Sequence, residues 1–334
     1  MKVDGGLMGD LARVPQRIRE LEELGYDAAI SAETSADPFF PLLLAAEHSE
    51  RIELQTSIAV AFARSPMNLA QIGHDLNHYS RGRFILGLGS QIRAHITRRF
   101  SMPWSRPAAR MRELILAMRA AWDCWYEGKK LDFRGEFYTH TLMTPMFTPT
   151  ATEYGPPRVF LAAVGPLMTE VAAEVADGII AHGFTTERYM REVTLPAIER
   201  GLARAGKKRS DFEIACPVFV VTGADEEAYL RARTATSRQI AFYGSTPAYR
   251  GVLDAHGWGG LQGELNVLSK QGKWEEMGTL ISDDIVEAFA VVAEPDDVAS
   301  KLKARYGDIL DRIAAMVPFA DRTKQREFIE TLRK

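Results

Sequence analysis

A short apolar segment of the sequence ends in glycines and offers a surface on which a planar molecule could lie. Phe84 to Leu88 is flanked by Arg81-Gly82-Arg83 on one side and by Gly89-Ser90 on the other. An apolar run of this length is typical of a strand that is buried on both faces, as in a parallel sheet. Glycines at the carboxyl end leave the place of a side chain open, so a flat ring could approach the backbone there.

The elements that must position this segment alternate between strand and helix. We predict strands at 1–7, 27–32, 52–62, 84–88, 159–164, 178–181, 212–221 and 313–317, with helices after them. The helix at 11–24 illustrates the pattern, since its apolar residues share one face and Gly25 follows its end. Eight strands, each followed by a helix, predict an α/β protein with a (β/α)8 TIM barrel.

Two insertions interrupt the alternation, at about 128–157 and 244–290. They account for a length above the ~250 residues that are typical of this fold, so we predict one domain over residues 1–334. The first insertion contains a predicted hairpin at 131–138. A doubly wound dinucleotide-binding sheet is the alternative fold. However, the glycines follow the fourth strand rather than the first, and the segment 87–92 lacks the third glycine of that motif.

The composition is that of an ordinary globular protein, with 46% hydrophobic and 25% charged residues and a formal net charge of −3. No basic stripe stands out, which argues against nucleic acid as a partner. Cys124 and Cys216 lie in apolar surroundings, which suits a reducing compartment. Lys2 and Asp4 interrupt any apolar leader, and no apolar run approaches the ~20 residues that span a bilayer. We expect a cytoplasmic protein without a membrane partner.

In a barrel of this class the site lies at the carboxyl ends of the strands. The residues there are mostly small and polar with apolar gaps, which suits a stacked planar cofactor. These strand ends are Asp4-Gly5-Gly6, Ser31-Ala32-Glu33-Thr34, Ser57-Ile58-Ala59, Gly89-Ser90-Gln91, Ala163-Val164-Gly165-Pro166 and His182-Gly183-Phe184. Acids and histidines are too few there for a metal centre, so we predict no metal.

The order of these segments resembles that of the bacterial-luciferase-like flavin and deazaflavin oxidoreductases. The resemblance rests on Thr56-Ser57-Ile58-Ala59-Val60, the helix that follows, Ser80-Arg81-Gly82-Arg83 and the glycine-ended strand. Within that family, Ala61-Phe62-Ala63-Arg64-Ser65-Pro66 and Gly87-Leu88-Gly89-Ser90-Gln91 resemble the members that use coenzyme F420. The resemblance covers nearly the whole chain and implies the same (β/α)8 barrel.

The resemblance also implies where the cofactor ring would lie. In the family the third strand carries a bulge with a non-proline cis peptide behind the ring, which corresponds to Ser57-Ile58-Ala59. Gly89-Ser90-Gln91 would be the neighbouring part of the cofactor site. The alternative is that residues 56–62 form a regular buried strand.

A cofactor phosphate would lie at the next two strand ends. Ala163-Val164-Gly165-Pro166 leads into a helix whose free backbone N–H groups suit a phosphate or carboxylate. By analogy with family members, His182-Gly183 would lie near the same phosphate. The alternative is an ordinary strand-to-helix turn.

His95 and Glu33 are the candidates for proton transfer. His95 lies where family members often place a polar residue beside the reactive edge of the ring, and a histidine titrates near neutrality. The equal alternative is a surface residue in an arginine-rich turn. Many deazaflavin members have an acidic residue followed by histidine after the second strand, whereas this chain has Glu33-Thr34. Glu33 is therefore either an acid or base, or a residue that orients the ring or a neighbour.

The resemblance implies an oxidoreductase that transfers hydride between coenzyme F420 and a small organic substrate. An FMN-dependent monooxygenase supplied by a flavin reductase is the close alternative, and a non-catalytic flavin-binding protein is a third. Family members are commonly dimers, so we expect a homodimer. The second insertion is rich in aromatic residues, which suits either an apolar lid over the mouth or a packing or dimer surface.

Overall fold

Eight parallel strands form a closed ring in the computed structural model, which describes residues 1–7, 9–319 and 321–334. They are β1 Lys2–Gly6, β2 Ala28–Ser31, β3 Glu53–Thr56, β4 Phe84–Gly89, β5 Arg158–Ala163, β6 Gly178–Ala181, β7 Glu213–Val221 and β8 Arg312–Ala315. The first strand pairs with both β2 and β8, and β6 pairs with both β5 and β7. The predicted (β/α)8 TIM barrel is confirmed.

Helices surround the ring and follow the strands. They are α1 Val14–Leu24, α2 Phe39–Glu47, α3 Pro66–Tyr79, α4 Pro107–Glu127, α5 Pro166–Val175, α6 Leu195–Ala205, α7 Glu226–Gly244, α8 Arg250–Asp254, α9 Gly259–Lys270, α10 Trp274–Thr279, α11 Asp283–Phe289, α12 Val298–Tyr306 and α13 Arg322–Arg333. A wider π-type turn, Met190–Thr194, precedes α6. The apolar face of α1 is buried as predicted, and Gly25 ends that helix with a φ of 92°. None of the helices in the described part of the chain is long and apolar enough to cross a membrane.

The amino ends of the strands meet in a buried ionic cluster. Arg312 is fully buried and donates to both carboxylate oxygens of Asp4, at 2.8 and 3.0 Å. It also donates to Glu53 at 2.6 Å and to Glu213 at 3.1 Å. Arg158 pairs with the same two glutamates. Four of these residues are the first residues of their strands and Asp4 is the third residue of β1, so the cluster joins five strands at the end opposite the predicted site. The expectation that Asp4 lies at the site end of the first strand is therefore wrong.

The first insertion folds back along α4. Phe133–Arg134 and Thr139–His140 pair antiparallel, so a hairpin is present, two residues further along the chain than the predicted 131–138. The carboxylate of Glu113 on α4 accepts the N–H groups of Phe137 and Tyr138, each at 2.6 Å. Arg110 on the same helix also donates to the hydroxyl of Tyr138 at 2.8 Å, so several side chains anchor the hairpin to the outer layer of the barrel.

The second insertion has an apolar core of its own. Helices α8 to α11 bury aliphatic and aromatic side chains against the ends of β6 and β7. These buried side chains are Val252, Leu253, Leu265, Met277, Ile281, Ile285, Val286 and Phe289. They contact Phe184 and Val221, which follow or end barrel strands. The insertion is thus a small helical layer fixed at the carboxyl end of the barrel.

Candidate functional site

The third strand is interrupted at the barrel mouth. After Thr56 the Ser57–Ile58 peptide bond is cis, and pairing with β4 resumes at Ala59–Val60. The Ser57 N–H donates to the carbonyl oxygen of Ser31 at 2.7 Å. The predicted bulge with its cis peptide is therefore present at the residues that the resemblance indicated.

The glycines of β4 make room for this bulge. A Cβ atom on Gly87 would lie 1.8 Å from the carbonyl oxygen of Thr56, so no other residue fits there without a backbone shift. A Cβ atom on Gly89 would lie 2.7 Å from the Cδ1 atom of Ile58. The expectation that these glycines leave the place of a side chain open is wrong, whereas the approach of a flat ring at this strand end stays a prediction. The space is filled by the neighbouring strand, and Ile58 rather than glycine presents the surface at the mouth.

Glu33 holds the second half of the bulge. Its carboxylate accepts the N–H of Val60 and a guanidinium N–H of Arg64, both at 2.7 Å, and its own N–H donates to the Ile58 carbonyl at 3.1 Å. Arg64 also donates to Asp37 at 2.9 Å. The Glu33 side chain is only 6% exposed. Its role in proton transfer stays a prediction, but the structure gives the carboxylate a positioning role that sequence reasoning described only in general terms.

Arg64 is the partner that the sequence analysis missed. It stands in the segment Ala61-Phe62-Ala63-Arg64-Ser65-Pro66, which was singled out for its resemblance to F420 enzymes. A signal existed, because an arginine beside a buried strand end needs a carboxylate partner. The sequence does not say which carboxylate, since Glu33 lies on a different strand.

The loop after β4 carries Ser90, Gln91 and His95. The Gln91 backbone has a φ of 57°, and its side-chain oxygen accepts the N–H of Ile92 at 2.9 Å. Arg99 donates to the carbonyl oxygen of Thr34 at 2.6 Å, which joins this loop to the end of β2. His95 is exposed at the rim. Both readings of His95, as a proton donor and as a surface residue, stay open.

His182 is fixed at the end of β6. Its Nδ1 atom accepts the N–H of Phe184 at 3.0 Å, so the neutral ring carries its proton on Nε2. The rings of Tyr243 and Tyr249 lie 4.6 and 4.8 Å from the imidazole, measured between ring centroids. Burial lowers the pKa of His182 to about 4, so the ring is neutral near neutral pH and offers one N–H. Gly183 follows, with the Pro217 carbonyl 3.2 Å from the place of a Cβ atom.

The start of α5 is open. Gly165 is its N-cap residue, no side chain caps the helix, and nothing lies within 4 Å of the place of a Cβ atom on Gly165. Pro166 has no N–H, while the next two backbone N–H groups have no partner within the helix. Ala163 and Val164 line a cavity of about 10 Å³ beside His182, which has room for one water molecule. The open helix start and the His182 N–H thus lie at adjacent strand ends.

A larger cleft lies away from the mouth. A cleft of about 660 Å³ is lined by residues of α7 and α10, including Phe242 and Trp274, on the outside of the insertion. Over the described ranges, no group of three or more His, Cys, Asp or Glu side chains is arranged to hold a metal ion.

These features define a class of protein: a (β/α)8 barrel whose bulged third strand and open helix start face the same mouth. Residues 2–312 match the family described as luciferase-like monooxygenase, and the chain belongs to that family. The family is one of enzymes, and the relatives of this chain include oxidoreductases. The predicted family is confirmed.

Two related sequences and one solved structure are similar to this chain over most of its length. An uncharacterized protein of Mycobacterium tuberculosis is 56% identical over 313 residues, which cover 94% of this chain and 92% of the relative. The 5,10-methylenetetrahydromethanopterin reductase of Archaeoglobus fulgidus is 27% identical, over 78% of this chain and 75% of the relative. The solved structure of a coenzyme F420-dependent tetrahydromethanopterin reductase from Methanopyrus kandleri superposes with a TM-score of 0.78, at 21% identity, over 98% of this chain and 96% of that chain.

Proposed function

We propose that this chain is an oxidoreductase that transfers hydride between coenzyme F420, a deazaflavin, and a small organic substrate. The observation that carries the proposal is the bulge at Ser57–Ile58, which Gly89 accommodates and Glu33 holds from behind. It presents an apolar side chain at the mouth, where a planar ring would stack. The coenzyme F420 in the name of the Methanopyrus kandleri reductase supports the deazaflavin.

The residues of the mouth fit such a cofactor. Ile58 would lie behind the ring and Ala59 beside it, with Gly89, Ser90 and Gln91 along the neighbouring strand end. When bound, the deazaflavin would supply or accept the hydride at a ring carbon. The protein would supply the apolar backing and exclude water from that face.

The phosphate of the cofactor would lie against the start of α5. The helix dipole and the first-turn N–H groups beyond Gly165 favour an anion, and Ala163 and Val164 lead the chain to that point. The Nε2–H of His182 would add a neutral donor beside Gly183. Because burial lowers the pKa of this imidazole to about 4, the ring is neutral near neutral pH and would donate through Nε2–H only.

His95 would handle the proton, while Glu33 would act as a positioning residue. The exposed rim position of His95 allows its imidazole to exchange protons with solvent. The Oε2 atom of Glu33 accepts hydrogen bonds from both Val60 and Arg64, so the carboxylate is fixed against the bulge, which supports the positioning role.

An FMN-dependent monooxygenase is the second candidate, because the family description is that of a monooxygenase. An isoalloxazine ring has the same shape as a deazaflavin and would use the same surface at Ile58. That reaction would also require a partner that reduces the flavin.

Equilibrium titration of the purified protein with oxidised F420 and, separately, with FMN tests the proposal by fluorescence. Binding of F420 at much lower concentration than FMN is the expected result. Preference for FMN would replace the proposal by the monooxygenase. If neither cofactor binds, the assignment of the mouth as a cofactor site is wrong.

A further inference from the structure

The second insertion places two tyrosines on the histidine at the end of β6. Tyr243 lies at the end of α7 and Tyr249 in the turn before α8, and their rings contact His182 at right angles and at a tilt of 42°. Both tyrosines are half-buried. Phe219 on β7 packs beside them, 6.5 Å from the ring of Tyr243. Because His182 faces the mouth, these rings form a wall on its β6–β7 side, which we call the aromatic wall.

The rest of the mouth also exposes apolar side chains. Leu167 in the first turn of α5 is 70% exposed, Met316 directly after β8 is 86% exposed, and Ile92 after β4 is 36% exposed. Large exposed apolar side chains that lie at the same end of a barrel are a mark of a ligand site. The three residues follow three different barrel strands, so together with the aromatic wall they surround the opening.

Charged side chains at the mouth lie away from the aromatic wall. The carboxylates of Glu33 and Asp37 are both engaged by Arg64. Arg93 and Arg98 lie exposed on the loop after β4, on another side of the mouth from the aromatic wall. The ring partners of Tyr243 and Tyr249 are all uncharged aromatic side chains.

We infer that the substrate is an uncharged ring compound, held between the cofactor and the aromatic wall of Phe219, Tyr243 and Tyr249. This inference rests on the proposed function, since it takes the mouth to be the cofactor site. Aromatic side chains prefer offset or edge contacts with other rings and exclude water from them. A charged group against the rings of Tyr243 and Tyr249 would lose its hydration without gaining a charged partner.

A matched pair of ligands tests the inference without any mutation. The F420-loaded protein is titrated by calorimetry with naphthol, which is neutral, and with naphthoate, which has the same rings and a negative charge. Naphthol is expected to bind at least about tenfold more tightly, since the carboxylate must be desolvated. Equal or tighter binding of naphthoate would overturn the inference and favour an anionic substrate at Arg93 and Arg98. It is overturned as well if neither ligand binds to loaded protein. Failure of F420 to bind would instead reject the proposed function.

Variants locate the ligand on the wall. Tyr249→Ala is expected to weaken naphthol binding about fivefold to tenfold, because one ring contact is lost. Tyr249→Phe keeps the ring and should keep the affinity. Trp274→Ala is the control, since Trp274 is a half-exposed aromatic residue of the same insertion that contacts Phe242 instead of His182. Unchanged binding to a folded Tyr249→Ala protein would overturn the placement, and circular dichroism shows whether that variant is folded.

Discussion

At the scale of single residues, the ion pair of Glu33 and Arg64 connects the second strand to the bulge of the third. Arg64→Ala would leave a buried carboxylate without its cation, so we expect a loss of about 3 kcal/mol in the free energy of unfolding. Glu33→Gln should cost less, because an amide oxygen still accepts the N–H of Val60. Urea unfolding measures both. Arg93→Ala, an exposed arginine on another loop, is the control, and an equal loss in the two arginine variants would contradict the positioning role.

The second prediction at the residue scale concerns how the stability of the protein depends on pH through His182. Burial lowers its pKa from 6.5 to about 4, so the unfolded chain takes up a proton in this range that the folded protein does not. The stability that the neutral ring contributes is fully present above pH 6.5 and is lost as the pH falls towards 4. The loss approaches at most about 1.4 kcal/mol per pH unit between these values.

The comparison that isolates this group is wild type against His182→Gln. The glutamine has an amide oxygen for the Phe184 N–H but does not titrate, so its stability should fall less steeply with acid. Thermal unfolding at a series of pH values measures the difference. Parallel curves for the two proteins would show that His182 titrates normally when folded.

At the scale of elements, two substitutions at the start of α5 distinguish an effect on helix stability from an effect on cofactor binding. Gly165→Asp and Gly165→Asn both supply a missing N-cap side chain, so each should stabilise the protein by a few tenths of a kcal/mol. The aspartate also places a negative charge where the phosphate is proposed to bind. We expect Gly165→Asp to weaken binding of F420 about tenfold or more, and increasingly so at low salt.

Gly165→Asn is the neutral control for that experiment. It adds a side chain of the same size, so a loss of affinity confined to the aspartate variant is electrostatic. If both variants bind F420 as tightly as wild type does, the phosphate does not lie at this helix. Fluorescence titration measures the affinity and thermal unfolding the stability.

The elements themselves could largely be predicted from the sequence. The eight strands are apolar runs in a regular alternation, and the resemblance located the cis peptide at Ser57-Ile58. The alternation of strands and helices did not predict α12. This helix follows the second insertion, where the alternation is interrupted, and precedes a short strand. The space beside Gly87 and Gly89 was predicted to be open, since a single strand cannot show that Thr56 and Ile58 of its neighbour fill it. Contacts between distant segments, such as Tyr249 with His182, leave no periodic signal.

At the scale of the whole molecule, the two ends of the barrel are held by different forces. At the mouth, the apolar core of the second insertion packs against Phe184 and Val221, which lie at the ends of β6 and β7. The opposite end is held by the ionic cluster around Arg312, which joins the first and last strands through Asp4. The ionic cluster and the proposed cofactor site thus lie at opposite ends of the barrel.

Stronger acid should weaken the end of the barrel that holds the ionic cluster. Burial opposes ionisation of Glu53 and Glu213, but the guanidinium of Arg312, together with Arg158 and Lys2, outweighs it and holds both pKa values below the ordinary 4.5. Folding is therefore favoured by these carboxylates above pH 4.5, and this contribution is lost as the pH falls through their lowered pKa values.

Arg312→Met tests this account of closure. The methionine fills part of the space but leaves three carboxylates with two cations, so we expect a loss of about 4 kcal/mol at neutral pH. The difference from wild type should narrow below pH 4.5, because protonated glutamates no longer need Arg312. Arg322→Met, which removes an exposed pair with Glu23, is the control and should cost less than about 1 kcal/mol. Urea unfolding across the pH range measures all three proteins, and a difference that stays constant into acid would mean that Arg312 stabilises the barrel by packing rather than by charge.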